Sequence, residues 1–458
     1  MKGAIGMTNH ELGAVALALL LLVAGAHLLG QVFARLRQPK VVGEILAGII
    51  LGPSLLGALA PDFVARTFGA GQKDPPTVAL GFVYQLGLLL LMFVSGSAVR
   101  RVLARENRRP TAWILAIGTP LPFVVALLSA PLLPLGALTG SAGSESAVTL
   151  VFACAVAVTS IPVITRIFYD LGILHTRFAS LMLGAAVLED IMLWGVLSVA
   201  TAVAAATIAS AGGDVTSTIS THVAWNAGYV VAAMTVMPSV LRRLGRARWN
   251  LLARETPVAW VVTVLLVYVA VAAALDVTLV FAAFLAGFGI VGGMTGSERK
   301  AYEQPLASVE AIAGALFIPA YFALVGYRLD FTRAFDPVML GAFLAGSSLV
   351  CLLSVGLAAR LAGFRGLAII NLAVTSNARG GPGIVLASVA FDAGIINAPF
   401  FTTLVVTAVI TSQTCGFWLD YVLRRGWPLL GTRHEDAAGV GDTPEAPLPV
   451  ASATPVGV

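Results

Sequence analysis

The chain has 458 residues, of which 58% are hydrophobic and 11% are charged. A soluble domain carries about twice that share of charged residues, so the composition excludes a soluble globular protein and predicts one that crosses a membrane many times. The formal net charge is +5. The basic residues lie in short loops between apolar segments, which indicates membrane topology and not a surface that binds nucleic acid.

Apolar segments close to the length that spans a bilayer, about 20 residues, follow one another along the chain. We expect about thirteen membrane helices and therefore an all-α polytopic fold. No convincing cleavage site follows the first segment, which is interpreted as a membrane helix and not as a removed signal peptide. The predicted spans lie at roughly 12–33, 41–59, 78–98, 111–136, 147–169, 178–209, 222–241, 257–274, 277–294, 307–327, 338–359, 367–391 and 398–423.

The distribution of basic residues predicts the orientation of the chain. With the N-terminus outside, the cytoplasmic loops and the C-terminal tail hold 21 of the 28 basic residues, and the outer loops hold 5. This bias follows the positive-inside rule, so we expect a cytoplasmic C-terminus and a multi-pass protein of the cell membrane. Arg166 lies near the inner end of span 5, and Arg379 lies about 18 Å deep in span 12. Arg328 and Asp330, at the outer end of span 10, are interpreted as charges at the interface between membrane and water.

Two adjacent carboxylates, Glu189 and Asp190, lie within the apolar span 6. The helical rise places them about 18 Å from the inner surface, at the same depth as Arg379. An ionised side chain at mid-bilayer costs at least a few kcal/mol, so such residues usually face a water-filled cavity and handle ions or protons. The pair therefore predicts an ion site.

Short sequence matches relate the two halves of the chain. Span 5 contains the sequence AVTS at 157–160 and span 12 contains it at 373–376, while LAG occurs at 46–48 in span 2 and at 285–287 in span 9. The constant offset of seven spans reverses helix direction, which predicts two inverted six-helix repeats joined by span 7. Helix breakers follow both AVTS segments, so spans 5 and 12 are predicted to be interrupted and to cross at the binding site.

The sequence VVGEILAGIILGP at 41–53 resembles the second-helix signature of the monovalent cation:proton antiporter-2 family. The resemblance covers roughly residues 12–425. It implies a sodium/proton antiporter-like fold that forms a homodimer, in which core helices move against scaffold helices and the cation binds at the second carboxylate, Asp190. The implied parts are scaffold or dimer helices at 12–98 and 257–327, a linker helix at 222–241, core helices at 111–209 and 338–423, and a disordered cytoplasmic tail at 426–458.

Two departures from the family pattern bear on the site. Relatives typically carry Asp-Asp, Asn-Asp or Gln-Asp in span 6, whereas this chain has Glu-Asp. Electrogenic relatives carry a lysine in span 11, where residues 338–359 contain no basic residue.

We expect Asp190 to exchange its proton for a cation, because burial favours the protonated carboxyl group whereas a nearby cation favours the carboxylate. The expected shell around the cation is made of oxygen atoms: the Asp190 carboxylate, the hydroxyl groups of Thr159 and Ser160, and backbone carbonyl groups freed near Pro162. For the two hydroxyl groups, hydrogen bonds to their own helix backbone are an equally good interpretation.

Adjacent helical residues point about 100° apart, so Glu189 is expected to face away from the cation and to form a structural ion pair with Arg379. Only Asp190 would then titrate, and one cation would exchange for one proton; if Glu189 titrates as well, two protons could move per cation. Glu44, near the cytoplasmic end of span 2, either lines an ion funnel or is an acid at a helix start.

The sequence thus predicts a secondary antiporter that exchanges Na⁺ or K⁺ for protons by alternating access, with no cofactor and no nucleic-acid partner. A passive or gated cation channel, or a K⁺ efflux pathway, is the alternative, but channels usually place acids in rings of symmetric subunits and lack inverted repeats. An enzyme is not expected, because among the five histidines only His27 lies well inside a span, away from the acidic pair.

Overall fold

The computed structural model describes residues 7–36, 38–69, 71, 73–102, 113–174, 176–209, 215–248, 250–275, 277–291 and 296–430. Within these ranges the fold is helical, and the single β-type pairing is an isolated bridge between Thr139 and Ile396. The part of the predicted tail at 431–458 lies outside the described residues.

We number the helices after the predicted spans, and the two parts of an interrupted helix are a and b. The first half comprises α1 (Asn9–Arg35), α2 (Lys40–Leu51), α3 (Pro75–Val102), α4 (Pro120–Ser129, after a π-helical turn at Ile114–Gly118), α5a (Glu145–Ala157), α5b (Ile161–Asp170) and α6 (Arg177–Ala209). The helix α7 (Val215–Arg246) follows the first half. The second half comprises α8 (Pro257–Ala274), α9 (Leu279–Val291), α10a (Gly296–Ile312), α10b (Ile318–Tyr327), α11 (Pro337–Leu361), α12a (Leu367–Ser376), α12b (Gly380–Asp392) and α13 (Ala398–Arg424).

A helix or an interrupted pair of helices lies at each predicted segment. Among the described residues, seven helical stretches are long and apolar enough to cross a membrane on their own. Several others are shorter because they are interrupted, so the exact number of spans stays a prediction.

Polar side chains and prolines mark several helix starts. Asp336 caps α11 by accepting hydrogen bonds from the backbone N–H groups of Val338 and Met339, and Pro337 occupies the first helical position. Asn397 caps α13 in the same way. These residues satisfy N–H groups that have no partner inside the helix, and proline at the first position removes one of them without cost.

The helices α1–α3 and α8–α10b, here the first helix group, make their closest contacts through glycine. A methyl group on Gly48 would overlap the Ala323 carbonyl group, and one on Gly326 would overlap that of Ile45, so α2 and α10b touch backbone to backbone. Gly96 and Gly287 have the same reciprocal relation in the contact of α3 with α9. Small residues permit this close approach between membrane helices.

The two glycine contacts are related by the internal repeat. The seven-span offset exchanges α2 with α9 and α3 with α10b, so it converts the α2–α10b contact into the α3–α9 contact. Gly48 and Gly287 are also the glycines of the two LAG segments. The structure therefore has the inverted repeat that the sequence matches predict.

The helices α4–α6 and α11–α13 form the second helix group, in which α5a, α11 and α13 meet through the rings of Phe152, Phe343 and Phe400. The helix α7 packs on α6 and on α9. The Tyr229 hydroxyl on α7 donates a hydrogen bond to the carbonyl oxygen of Tyr268 on α8. The division into a scaffold and a mobile core stays a prediction.

Candidate functional site

The two interrupted helices cross at their breaks. The first break comprises residues 158–160, between α5a and α5b, and the second comprises residues 377–379, between α12a and α12b. The backbone N–H of Ser160 donates to the carbonyl oxygen of Ala378 at 2.7 Å, and the Thr159 hydroxyl donates to the carbonyl oxygen of Ser376 at 2.8 Å. Backbone groups freed by one break are thus bound by the other, which satisfies them in an apolar environment.

The first break lies earlier than its proline suggests. We expected interruption after the AVTS segment, but in span 5 the helix already ends at Ala157 and restarts at Ile161, so Pro162 stands in the first turn of α5b. Proline is tolerated there because its missing N–H would be unpaired anyway. In span 12 the AVTS segment is the last turn of α12a, and the break does follow it.

Glycine is required at the start of α12b. Gly380 has a φ of +35°, and a side chain there would collide with the side chains of Val163 and Ser160 from the other interrupted helix. The N–H groups of Arg379 and Gly380 donate to the hydroxyl oxygens of Thr411 and Ser412 on α13, at 3.4 and 3.0 Å. These two hydroxyl groups were not predicted as site residues, and their adjacency within span 13 is the only signal of them in the sequence.

Glu189 lies in the interior of the second helix group and is 3% exposed. Its carboxyl group is beside the hydroxyl groups of Thr119 and Thr159, and its Oε2 atom has no hydrogen-bond partner. Thr119 was also missed, although its position directly before the helix-starting Pro120 marks it in the sequence. Asp190 is the next residue of α6, and its side chain lies outside the described part of the structure.

Arg379 is 2% exposed and forms few contacts. Its Nη2 atom is 3.5 Å from the carbonyl oxygen of Val156 and from Oδ1 of Asn377, its guanidinium carbon is 5.5 Å from the ring centre of Phe343, and Nε and Nη1 have no hydrogen-bond partner. The structure does not join Arg379 to Glu189. The predicted ion pair is therefore absent from this conformation.

The two hydroxyl groups predicted as cation ligands both lie at the crossing. The Thr159 hydroxyl donates its proton to Ser376, and the Ser160 oxygen accepts from the backbone N–H of Val163 at 3.4 Å. Both roles are structural, but each oxygen keeps a free lone pair. Their binding of a cation stays a prediction.

Glu44 lies in the wall of a cavity of about 200 Å³ that extends toward the crossing. The cavity lies between the two helix groups. The first group contributes residues of α2, α3 and α10b; the second contributes Val163 of α5b and Gly381, Pro382 and Val385 of α12b. Because α5b and α12b both begin at the breaks, this part of the lining lies within a few residues of the crossing. A funnel role of Glu44 stays a prediction.

A family model described as "Sodium/hydrogen exchanger, transmembrane" matches residues 17–425. The chain is 25% identical over 404 residues to the Na(+)/H(+)-K(+) antiporter GerN of Bacillus cereus, and the match covers 88% of this chain and 94% of that protein. It is 26% identical over 405 residues to Cation/H(+) antiporter 18 of Arabidopsis thaliana, with 86% of this chain covered. The match covers 47% of the plant protein, so the chain spans about half of its length.

The fold is similar to that of the sodium proton antiporter MjNhaP1 from Methanocaldococcus jannaschii, with a TM-score of 0.57. The likeness covers 90% of this chain and 96% of that one at 13% sequence identity, so it is a likeness of fold alone.

Proposed function

The chain belongs to the sodium/hydrogen exchanger family of cation:proton antiporters, and from this premise we propose how it exchanges a monovalent cation, Na⁺ or K⁺, for a proton. The proposed site is the crossing of the two interrupted helices, with Asp190 as the group that binds cation and proton in turn. The observation that carries this proposal is the proximity of three features: the two crossing helix breaks, the buried Glu189 beside Thr159 of the first break, and a cavity lined by residues that follow both breaks.

Asp190 is proposed as the exchanging carboxyl group because its neighbour is fully enclosed. Successive residues of a helix point about 100° apart, so the two carboxyl groups do not share one direction, and Asp190 is proposed as the member that faces the ion pathway. Glu189 lies in the interior beside Thr119 and Thr159 and is not among the residues that line the cavity. The remaining ligands would come from the crossing, with the hydroxyl oxygens of Thr159 and Ser160 and carbonyl groups at the helix ends completing a shell of hard oxygen ligands.

One proton is proposed to move for each cation. The ion pair with Arg379, which was the reason to expect a constant charge on Glu189, is absent. The enclosure of Glu189 supplies another reason, because a carboxyl group without access to the cavity cannot exchange its proton with solution during the cycle. Asp190 would then be neutralised alternately by a proton and by a cation, so each half-cycle would carry the same charge.

Alternating access is proposed to occur along the interface between the two helix groups. The cavity with Glu44 opens at the end of the bundle that carries most basic loops, which supports an inward-facing conformation with the N-terminus outside and the C-terminus in the cytoplasm. Location in the cell membrane and homodimer formation are part of the proposal and rest on the resemblance to the antiporter family.

The test is flux in proteoliposomes loaded with a pH indicator. An imposed gradient of Na⁺ or K⁺ should drive protons in the opposite direction, against their own gradient. Absence of proton movement with every alkali cation would refute the exchange. A cation flux that proceeds equally well at any proton gradient would instead indicate the channel alternative.

A further inference from the structure

A cluster of polar side chains joins the two helix groups at their outer end. Asp392, the last residue of α12b, receives a contact at each carboxylate oxygen. Arg328 Nη1 lies 2.7 Å from Oδ1, and the Tyr84 hydroxyl donates a hydrogen bond of 2.9 Å to Oδ2. The Arg328 guanidinium carbon also lies 4.8 Å from the ring centre of Tyr84. One carboxylate of the second group is therefore bound by two residues of the first, Tyr84 on α3 and Arg328 at the end of α10b.

A second contact lies one helical turn deeper. The Tyr321 hydroxyl of α10b donates to Ser388 Oγ of α12b at 3.1 Å, and both side chains are fully buried. The rings of Tyr84 and Tyr321 lie 5.1 Å apart, so the two contacts form one cluster. We call Tyr84, Arg328 and Asp392 the outer latch.

Hydrogen bonds hold the backbone next to Arg328 within the first group and the backbone next to Asp392 within the second group. The Ser54 hydroxyl donates to the carbonyl oxygen of Leu329 and accepts from the N–H of Phe331, which fastens the segment after Arg328 to the end of α2. Beyond Asp392, the carbonyl groups of Gly394 and Ile395 accept hydrogen bonds from the loop that precedes α5a. Movement of one helix group against the other must therefore break the latch, because the segments that follow Arg328 and Asp392 are held in place and cannot move with the opposite group.

The latch and the inner cavity lie on the same three helices. On α3, the nearest cavity-lining residue is Leu91, seven residues from Tyr84; on α12b it is Val385, seven residues from Asp392; on α10b it is Phe322, six residues before Arg328. At 1.5 Å per residue the latch is about 10 Å from the nearest wall of the cavity along each helix. The interface is thus closed by polar contacts at its outer end and open at its inner end.

From this arrangement we propose that the latch of Tyr84, Arg328 and Asp392 closes the outer gate and sets the equilibrium between inward-facing and outward-facing conformations. The proposal rests on the proposed alternating-access antiport. The contacts exist only while the outer end is closed, so they favour the inward-facing state by their own free energy. With Arg328 and Asp392 37% and 21% exposed, the pair is partly screened, and its loss should change the equilibrium by about fivefold.

Asp330 provides a matched control. It lies two residues beyond Arg328, but its carboxylate accepts hydrogen bonds only within its own loop, from the Thr332 hydroxyl and from the N–H groups of Thr332 and Arg333. The hydrogen bond from the Thr332 hydroxyl, followed by those from the backbone, lowers the pKa of Asp330. Asp330→Asn therefore removes the same charge from the outer end without touching the interface.

The experiment measures how often the outer gate opens. Ser388→Cys, in a protein whose three native cysteines are replaced by alanine, places a thiol that is buried until the two groups separate there. Its rate of reaction with a polar maleimide in lipid nanodiscs reports the outward-facing population. Asp392→Asn and Arg328→Gln should each raise this rate about fivefold, Asp330→Asn should leave it unchanged, and the charge exchange Arg328→Asp with Asp392→Arg should restore a low rate.

A second reporter separates gate opening from loss of structure. A protein that keeps only the native Cys351, buried in α11 within the second group, should react no faster when Asp392→Asn is added. An unchanged rate at position 388, or an equal rise at Cys351, would overturn the proposal. The labelling needs no transport: wild-type protein without cation-driven proton flux would refute the antiport, whereas active protein whose labelling ignores Asp392→Asn would refute only the latch.

Discussion

In the first helix group the closest contacts are made by glycine and backbone carbonyl groups, whereas the second group is built around buried hydroxyl, amide and charged side chains. Gly48, Gly96, Gly287 and Gly326 permit the first kind of contact. Glu189, Arg379 and nearly all buried threonine and serine side chains lie in the second helix group. Polar groups are costly in a membrane interior, so they are concentrated where ions must be handled.

Substitutions in the two helix groups should therefore have different consequences. A change in the first group should lower stability, because backbone contacts cannot adapt to added volume. A change at the crossing should impair exchange more than stability, because that region already contains unpartnered atoms such as Glu189 Oε2 and Arg379 Nε.

The largest effect is expected from Asp190→Asn. The substitution keeps the size of the side chain but removes its exchangeable charge, so cation-driven proton flux in proteoliposomes should fall to the level of empty vesicles. Asp330→Asn, the exposed control, should keep wild-type flux. Normal flux in a purified and folded Asp190→Asn protein would remove this residue from the mechanism.

Gly96→Ala should destabilise the protein by roughly 3 kcal/mol, because the new methyl group meets the carbonyl oxygen of Phe284 and backbone cannot yield as a side chain can. Gly81→Ala is the matched control on the same helix, where a methyl group would meet no atom within 4 Å. It should be neutral or stabilising, since alanine is the better helix former. Thermal unfolding in detergent measures both, and equal stability of the two variants would refute close backbone packing of α3 on α9.

The effects of Arg379→Met and Glu189→Gln on stability should be additive. Residues that share no direct contact usually have additive effects within about 0.5 kcal/mol, and no ion pair joins these two. Thermal stability of both single variants and of the double variant gives the coupling. A double variant more stable than the Arg379→Met protein would show that the ion pair forms in another conformation of the cycle.

The smallest effect is expected from the membrane potential. If Glu189 never exchanges its proton, no net charge crosses in a complete cycle. The rate at a fixed pH difference should then be independent of an imposed potential, although about 2.3 kcal/mol per charge is available at 100 mV. A rate that rises with potential would mean that Glu189 also carries a proton.

The sequence was sufficient to predict features that depend on local chemistry or on pattern. Pro162 and the glycines after Arg379 predict the two helix breaks, and the repeated AVTS and LAG segments predict the inverted repeat. The first break lies earlier than predicted, but a local rule explains its position. Proline is favoured in the first turn of a helix, so Pro162 indicates that a new helix starts there and that the preceding helix ends a few residues earlier.

Features that depend on distant partners could not be predicted in this way. Arg328 was assigned to the interface region with Asp330, yet its partner is Asp392, which joins it only through the packing of α12b on the first helix group. Depth alone suggested that Glu189 would pair with Arg379. Equal depth does not fix the direction in which two side chains point, and Glu189 instead faces Thr119 and Thr159.

The central claim is that a cation and a proton compete for one carboxyl group at the crossing, and calorimetry tests it most directly. Titration of purified protein with Na⁺ and with K⁺, in two buffers of different ionisation enthalpy, counts the protons released for each cation bound. The account predicts about one proton per cation for the wild-type protein and for Asp330→Asn, and no binding for Asp190→Asn. Release of two protons, or cation binding by Asp190→Asn with no proton released, would contradict it.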